Sequence, residues 1–150
     1  MKCLVTGAAG FIGSSLCERL LKDGHDVDGI DCFVPYYPRE IKERNLRALI
    51  GAPRFRFFEE DLAESNLEQR LQDIEWVFHQ AAQAGVRASW GRSFEGYVRH
   101  NIFVTQRLLE AAKGCVTLRK LVYASSSSVY GDAERFPTDE QVLPRPVSPY

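Results

Sequence analysis

Three glycines, Gly7, Gly10 and Gly13, stand at even spacing in "TGAAGFIG" (6–13), and Asp31 closes the stretch "DVDGID" that follows. These residue types suit one chemistry, the holding of a phosphorylated ligand that carries a ribose. Gly7 admits the backbone angles of a tight turn. Gly10 removes a β-carbon so that a pyrophosphate can approach the main chain, and Gly13 lets a helix lie close against a strand. A carboxylate at Asp31 can accept both hydroxyls of an adenosine ribose and repels a 2′-phosphate, which favours NAD over NADP. An ordinary glycine-rich turn carries the same three letters, so the reading depends on the elements around them. Farther along, the serines of "SSSS" (125–128) and the tyrosines Tyr130 and Tyr150 offer hydroxyls, provided the fold brings them to the ligand-facing edge.

The apolar spacing predicts those elements. "KCLVT" (2–6) is a short apolar run, and from Phe11 the apolar positions shift to Ile12, Leu16, Cys17, Leu20 and Leu21, a helical face ending at Gly24. Strand, glycine turn and helix follow in the order a phosphate site requires. The alternation continues with a strand at 26–31, a helix over about 39–50, a strand at 55–58, and a helix opening at Ser65 with Glu68 in the spelling of a capping box. "WVFHQA" and "KLVYAS" supply two more strands, with Tyr123 inside the second read as core packing. Between them, residues 94–113 place Tyr97, Val98, Ile102, Val104, Leu108 and Leu109 along one helix face, closed by Gly114. This order predicts an α/β fold, a three-layer, doubly wound parallel sheet of Rossmann type with right-handed crossovers. After Ser128 the pattern lapses into a proline-bearing loop, "VYGDAERFPTDEQVLPRPVSPY".

Bulk composition narrows the function classes. With 150 residues, 45% of them hydrophobic, the chain supports one core, and one domain is the default. A net charge of −1 creates no field that would gather nucleic acid or an anionic membrane, so neither is an expected partner. Cys3, Cys17, Cys32 and Cys115 form no C-x-x-C pair, and no export signal or spanning segment is legible, which predicts reduced thiols and a cytoplasmic location. His25, His79 and His100 form no spaced cluster, so no metal site is expected. The charged run "PREIKERNLR" reads as a solvated helix face.

The spelling T-G-x-x-G-x-x-G, with "DL" (61–62), "HQAA" (79–82), Asn101 and "SSSSVYG" (125–131), resembles the extended short-chain dehydrogenase/reductase family of NAD-dependent nucleotide-sugar epimerases and dehydratases. That resemblance implies NAD held by Gly7, Gly10, Phe11, Ile12, Gly13 and Asp31, with Asp61 and Leu62 by the adenine and Ala81, Ala82 and Asn101 along the cofactor. It assigns Tyr150 as the reacting tyrosine, with Tyr130 as its rival, and Ser126 as the hydroxyl that orients the sugar. Arg87, Ser127 and Ser128 are candidate substrate contacts. Ser127 and Ser128 occupy the places of the acid pair of the 4,6-dehydratases, and hydroxyls are poor substitutes for carboxyls, so dehydration is disfavoured. "AAQAGVRAS" (81–89) and "YYPREIKERNLRAL" (36–49) are most similar to UDP-glucuronate 4-epimerases, which implies a UDP-sugar substrate, transient oxidation at C4 with hydride return, and a homodimer built on the helix of 94–113. A non-catalytic NAD-binding module and a one-way dehydrogenase or reductase remain alternatives. The family lysine four residues after the tyrosine falls beyond Tyr150. The expectation is therefore that residues 1–150 are the NAD-binding domain of a longer enzyme, with the substrate domain lying farther on and little turnover from this stretch alone.

Overall fold

Along strand β1 (Lys2–Thr6), Cys3 and Val5 enter one apolar cluster and Leu4 enters another, because successive side chains of a strand point to opposite faces. A computed structural model describes residues 1–133 and 136–150, so Glu134 and Arg135 of the expected C-terminal loop lie outside the described residues. After β1 the chain runs through helix α1 (Phe11–Lys22), strand β2 (Asp26–Asp31), helix α2 (Arg39–Leu46), strand β3 (Phe55–Glu59), helix α3 (Leu67–Leu71) and strand β4 (Trp76–His79). Helix α4 (Phe94–Tyr97) continues through a π-helical segment (Val98–Phe103) into α5 (Val104–Lys113), and β5 (Lys120–Tyr123) completes the sheet.

All pairings are parallel, in the order β3-β2-β1-β4-β5. Cys17 and Leu20 of α1 and Leu46 of α2 cover one face. Leu67 and Leu71 of α3 and Val104, Leu108 and Ala111 of α5 cover the other. The three layers are those expected. From β1 the chain steps outward to β2 and β3 and then returns to the other side of β1 as β4, so the carboxyl ends of β1 and β4 flank the point where strand order reverses. Open α/β sheets place their ligands at this crevice.

Four local expectations are corrected. Helix α2 ends at Leu46, with turns over the following residues in place of helix to 50. Ser65 does not cap α3: its amide and hydroxyl both donate to the Asp61 carbonyl, at 2.9 and 2.8 Å. Asn66 caps instead, its side chain accepting from Gln69 N at 3.0 Å. The apolar stripe of 94–113 splits, because the π-helical turn adds a residue and rotates the face. Tyr97, Val104 and Leu108 are buried, while Val98, Ile102 and Leu109 are exposed. Tyr123 is 63% exposed and is not core, since β5 is an edge strand whose Leu121 alone packs against the α5 side.

Candidate dinucleotide-binding site

The turn from β1 into α1 occupies the reversal point. Gly7 has φ +69°, and a β-carbon there would lie 2.8 Å from Ala81 N in the segment leaving β4. A β-carbon at Gly13 would run into the Gly7 carbonyl, so this glycine permits the close seat of α1 on the turn. At Gly10 the requirement differs: a β-carbon would meet only Gly7 O, at 3.2 Å, and otherwise open space. Gly10 is the N-cap of α1, and no side chain caps the helix. Its first-turn N–H groups thus face a glycine-lined opening with the positive end of the helix dipole behind them, an arrangement suited to a diphosphate. Phe11 and Ile12 stand exposed on this first turn.

Asp31, at the end of β2, is buried beside that turn. Its Oδ2 accepts from Ala9 N at 3.1 Å, tying it to the glycine loop, and its Oδ1 accepts from Phe33 N at 2.8 Å. Phe33 takes φ +51°, a left-handed conformation uncommon for an aromatic residue, so the chain bends away directly after this contact. Lys42 of α2 completes the clamp, its Nζ 3.2 Å from Asp31 Oδ1, with both side chains nearly out of solvent. Next to it, Asn45 donates to Ala9 O at 2.9 Å. The run "PREIKERNLR" is therefore not merely a solvated face. One side of α2 roofs the site, and its buried Lys42 and half-buried Asn45, which sequence reasoning missed, hold the acid and the glycine turn in place. Their only signal was the helical spacing of i, i+3 that sets them on one side.

On the other flank, hydroxyls and one imidazole fix the segment leaving β4. Ala81 N donates to Thr6 Oγ1 (3.1 Å), Thr6 Oγ1 lies 2.7 Å from His79 Nδ1, His79 Nε2 lies 3.0 Å from Thr105 Oγ1, and Thr105 Oγ1 donates to Asn101 O (2.7 Å). Only one direction of donation satisfies this chain. The Thr105 proton is committed to a carbonyl, so Nε2–H must donate to Thr105 and Nδ1 must accept from Thr6. His79 is thus neutral, and burial pulls its pKa down to about 4. Asn101 does not stand free: its Oδ1 accepts from Gln83 N (2.7 Å) and its Nδ2 donates to Gln83 O (3.0 Å). Ala81 packs against the α5-side core, and Ala82 is exposed beside it.

Past β3, Asp61 Oδ1 accepts from Ala63 N at 2.8 Å, and Arg99 lies 2.7 Å from Oδ2. Burial raises the Asp61 pKa, but Arg99 and the Ala63 N–H outweigh it and hold the carboxyl below its usual range. The Leu62 side chain is core, and its carbonyl accepts from Arg107 at 2.8 Å. Cys32, next to Asp31, is kept protonated by burial and by the carboxylates of Asp61 and Asp31, which raise its pKa.

The serines follow the carboxyl end of β5. Ser126 caps a 3-10 turn (Ser127–Tyr130), its Oγ accepting from Ser128 N at 3.2 Å. The two tyrosines separate here. Tyr130 lines a pocket of about 350 Å³ with Thr138, Val142 and Arg145, whereas the Tyr150 ring packs edge-on against buried Tyr97, centroids 6.0 Å apart. Arg87 is exposed at the start of a 3-10 turn (Arg87–Ser89).

Comparison with known proteins agrees with this geometry. Residues 3–150 match the family model described as the NAD dependent epimerase/dehydratase family. An uncharacterised UDP-glucose epimerase, YtcB, of Bacillus subtilis is 48% identical over 151 residues, covering 100% of this chain and 47% of its own length. The UDP-glucose 4-epimerase of Mycolicibacterium smegmatis is 40% identical over 154 residues, again covering 100% of this chain and 47% of its own length. The UDP-glucuronic acid 4-epimerase of Bacillus cereus, solved with UDP-glucuronic acid and NAD, superposes with a TM-score of 0.95 at 49% identity, covering 99% of this chain and 47% of that one. The chain thus spans about half the length of these relatives. A family match over nearly every residue, joined to a glycine turn, a clamped acid and a reversal point in the expected places, makes this chain a member of the NAD dependent epimerase/dehydratase family.

Proposed function

We propose that this chain forms the dinucleotide-binding part of an NAD-dependent UDP-sugar 4-epimerase of the UDP-glucuronate type. The observation that carries the reading is the contact of Ala9 N with Asp31 Oδ2 at 3.1 Å, which joins the uncapped start of α1 to a buried carboxylate on the neighbouring strand. The N–H groups at the start of α1 hold the diphosphate, and Asp31 holds the adenosine ribose. Asp61 and Leu62 stand on the adenine side, and the 81–83 segment, supported by Asn101, runs toward the nicotinamide. When bound, NAD supplies a reversible hydride acceptor for the sugar C4 position. Tyr150 removes the C4 hydroxyl proton and returns it, Ser126 orients the sugar, and Arg87, Ser127 and Ser128 face the substrate. The similarity to the Bacillus cereus enzyme, solved with UDP-glucuronic acid, supports the choice of sugar. The hydroxyls of Ser127 and Ser128 support epimerisation over dehydration.

The exposed Val98, Ile102, Phe103 and Leu109 on the outer side of the 94–113 helix support a homodimer, and the protein acts in the cytoplasm. No helix among the described residues is long and apolar enough to cross a membrane. Calorimetry with NAD and NADP tests the site. NAD is expected to bind one per chain and more tightly than NADP, and Asp31→Ala is expected to weaken NAD by about tenfold, the loss of charged hydrogen bonds. Folded protein without NAD affinity overturns the reading. With UDP-glucuronate, the full-length enzyme is expected to give UDP-galacturonate without net NADH. Accumulating NADH marks a dehydrogenase instead, and no conversion marks a binding module.

A further inference from the structure

The segment 80–85 is held along its length by three elements. Gln80 N donates to Thr6 O at 3.2 Å and Ala81 N to Thr6 Oγ1 at 3.1 Å, while Asn101 takes both main-chain groups of Gln83. Beyond them the Tyr97 hydroxyl lies 3.1 Å from Ala84 O and 2.6 Å from Gly85 O, its single proton shared between two carbonyls. Gly85 has φ +104°, and a β-carbon there would lie 2.7 Å from the Tyr36 hydroxyl. Tyr36 belongs to the turn after β2. Two segments that leave strands on opposite sides of β1 therefore touch, forming a strap across the end of the sheet where the glycine turn lies. Tyr97 is 3% exposed, and its ring meets the Tyr150 ring at an interplanar angle of 84°. Burial alone would be met by phenylalanine. The hydroxyl has a use only in the two carbonyls it reaches.

We propose that Tyr97 is a positioning residue with two separable actions: its hydroxyl latches the 84–85 main chain into the strap over the dinucleotide, and its ring holds Tyr150 in place. The inference rests on the NAD reading above, and Tyr97 itself touches neither cofactor nor sugar in it.

The test compares Y97F, which keeps the ring and loses the donor, with Y97L, which loses both. Tyr36→Ala, at a half-exposed side chain, opens the strap from its other side. Exchange of bound NAD for radiolabelled NAD is expected to quicken about fivefold in Y97F and in Y36A, the effect of one lost hydrogen bond or contact. In the full-length enzyme, Y97L is expected to lower kcat about tenfold further than Y97F at similar KM for the sugar, as a misplaced reacting group does. Exchange at the wild-type rate in both Y97F and Y36A overturns the latch, and equal kcat in Y97F and Y97L overturns the seat. A wild-type protein that binds no NAD defeats the site and the inference together. Bound NAD with unaltered exchange and equal kcat in the two variants defeats the inference alone.

Discussion

His79 shows how one buried side chain sets a condition on the whole site. Its Nδ1 accepts from Thr6, so protonation there would break the chain that fixes Ala81. In the folded state its pKa lies near 4, against an ordinary 6.5, and the unfolded chain therefore binds the proton first as pH falls. Stability is accordingly full above about pH 6.5 and declines toward pH 4, by roughly 3 kcal/mol. Urea unfolding at several pH values is expected to show this loss in the wild type and a flatter profile in His79→Gln. Lys42 gives a second test. Lys42→Met leaves the Asp31 carboxylate buried without its cation, and is expected to destabilise the protein by about 3 kcal/mol in urea unfolding while weakening NAD. The glycines and Asp31 were legible in the sequence because each residue type has one physical advantage at its place. Lys42 was not, since a charged run does not reveal which long side chain crosses to a buried partner.

Between neighbouring elements, fit is decided by a few atoms. Gly13→Ala would drive a methyl into the Gly7 carbonyl, so thermal or urea unfolding is expected to show a loss of about 3 kcal/mol. Gly10→Ala meets mostly open space and is expected to change stability by about 0.5 kcal/mol at most. It should nevertheless weaken NAD sharply in calorimetry, because the methyl occupies the opening. Equal stability losses in the two variants would contradict this division of labour. The alternation of strand and helix was legible throughout, since periods of 2 and 3.6 are properties of the local sequence. What escaped depended on neighbours: Ser65 turned back to Asp61 and left capping to Asn66, and the π-helical turn at 98–103 divided one apolar stripe into two faces.

At the scale of the whole molecule, that division leaves an outward apolar face of Val98, Ile102, Phe103 and Leu109. If the proposed homodimer uses this face, Ile102→Glu is expected to give a monomer in sedimentation where the unaltered protein gives a dimer, with NAD binding retained; a dimer that survives the substitution overturns the assignment of this face. The strand order has a consequence for synthesis. β1 is made first yet lies in the middle of the sheet, and its second neighbour, paired Cys3 to Trp76, arrives only after two strands and three helices have been made. A nascent chain halted before Trp76 therefore carries one open flank of its central strand and is an apt client for chaperones at the ribosome exit. Release of the next few residues closes that flank, but the sheet face that carries Leu4 and Val77 stays uncovered until Val104–Lys113 emerges, so the growing polypeptide should turn from protease-sensitive to resistant in two steps.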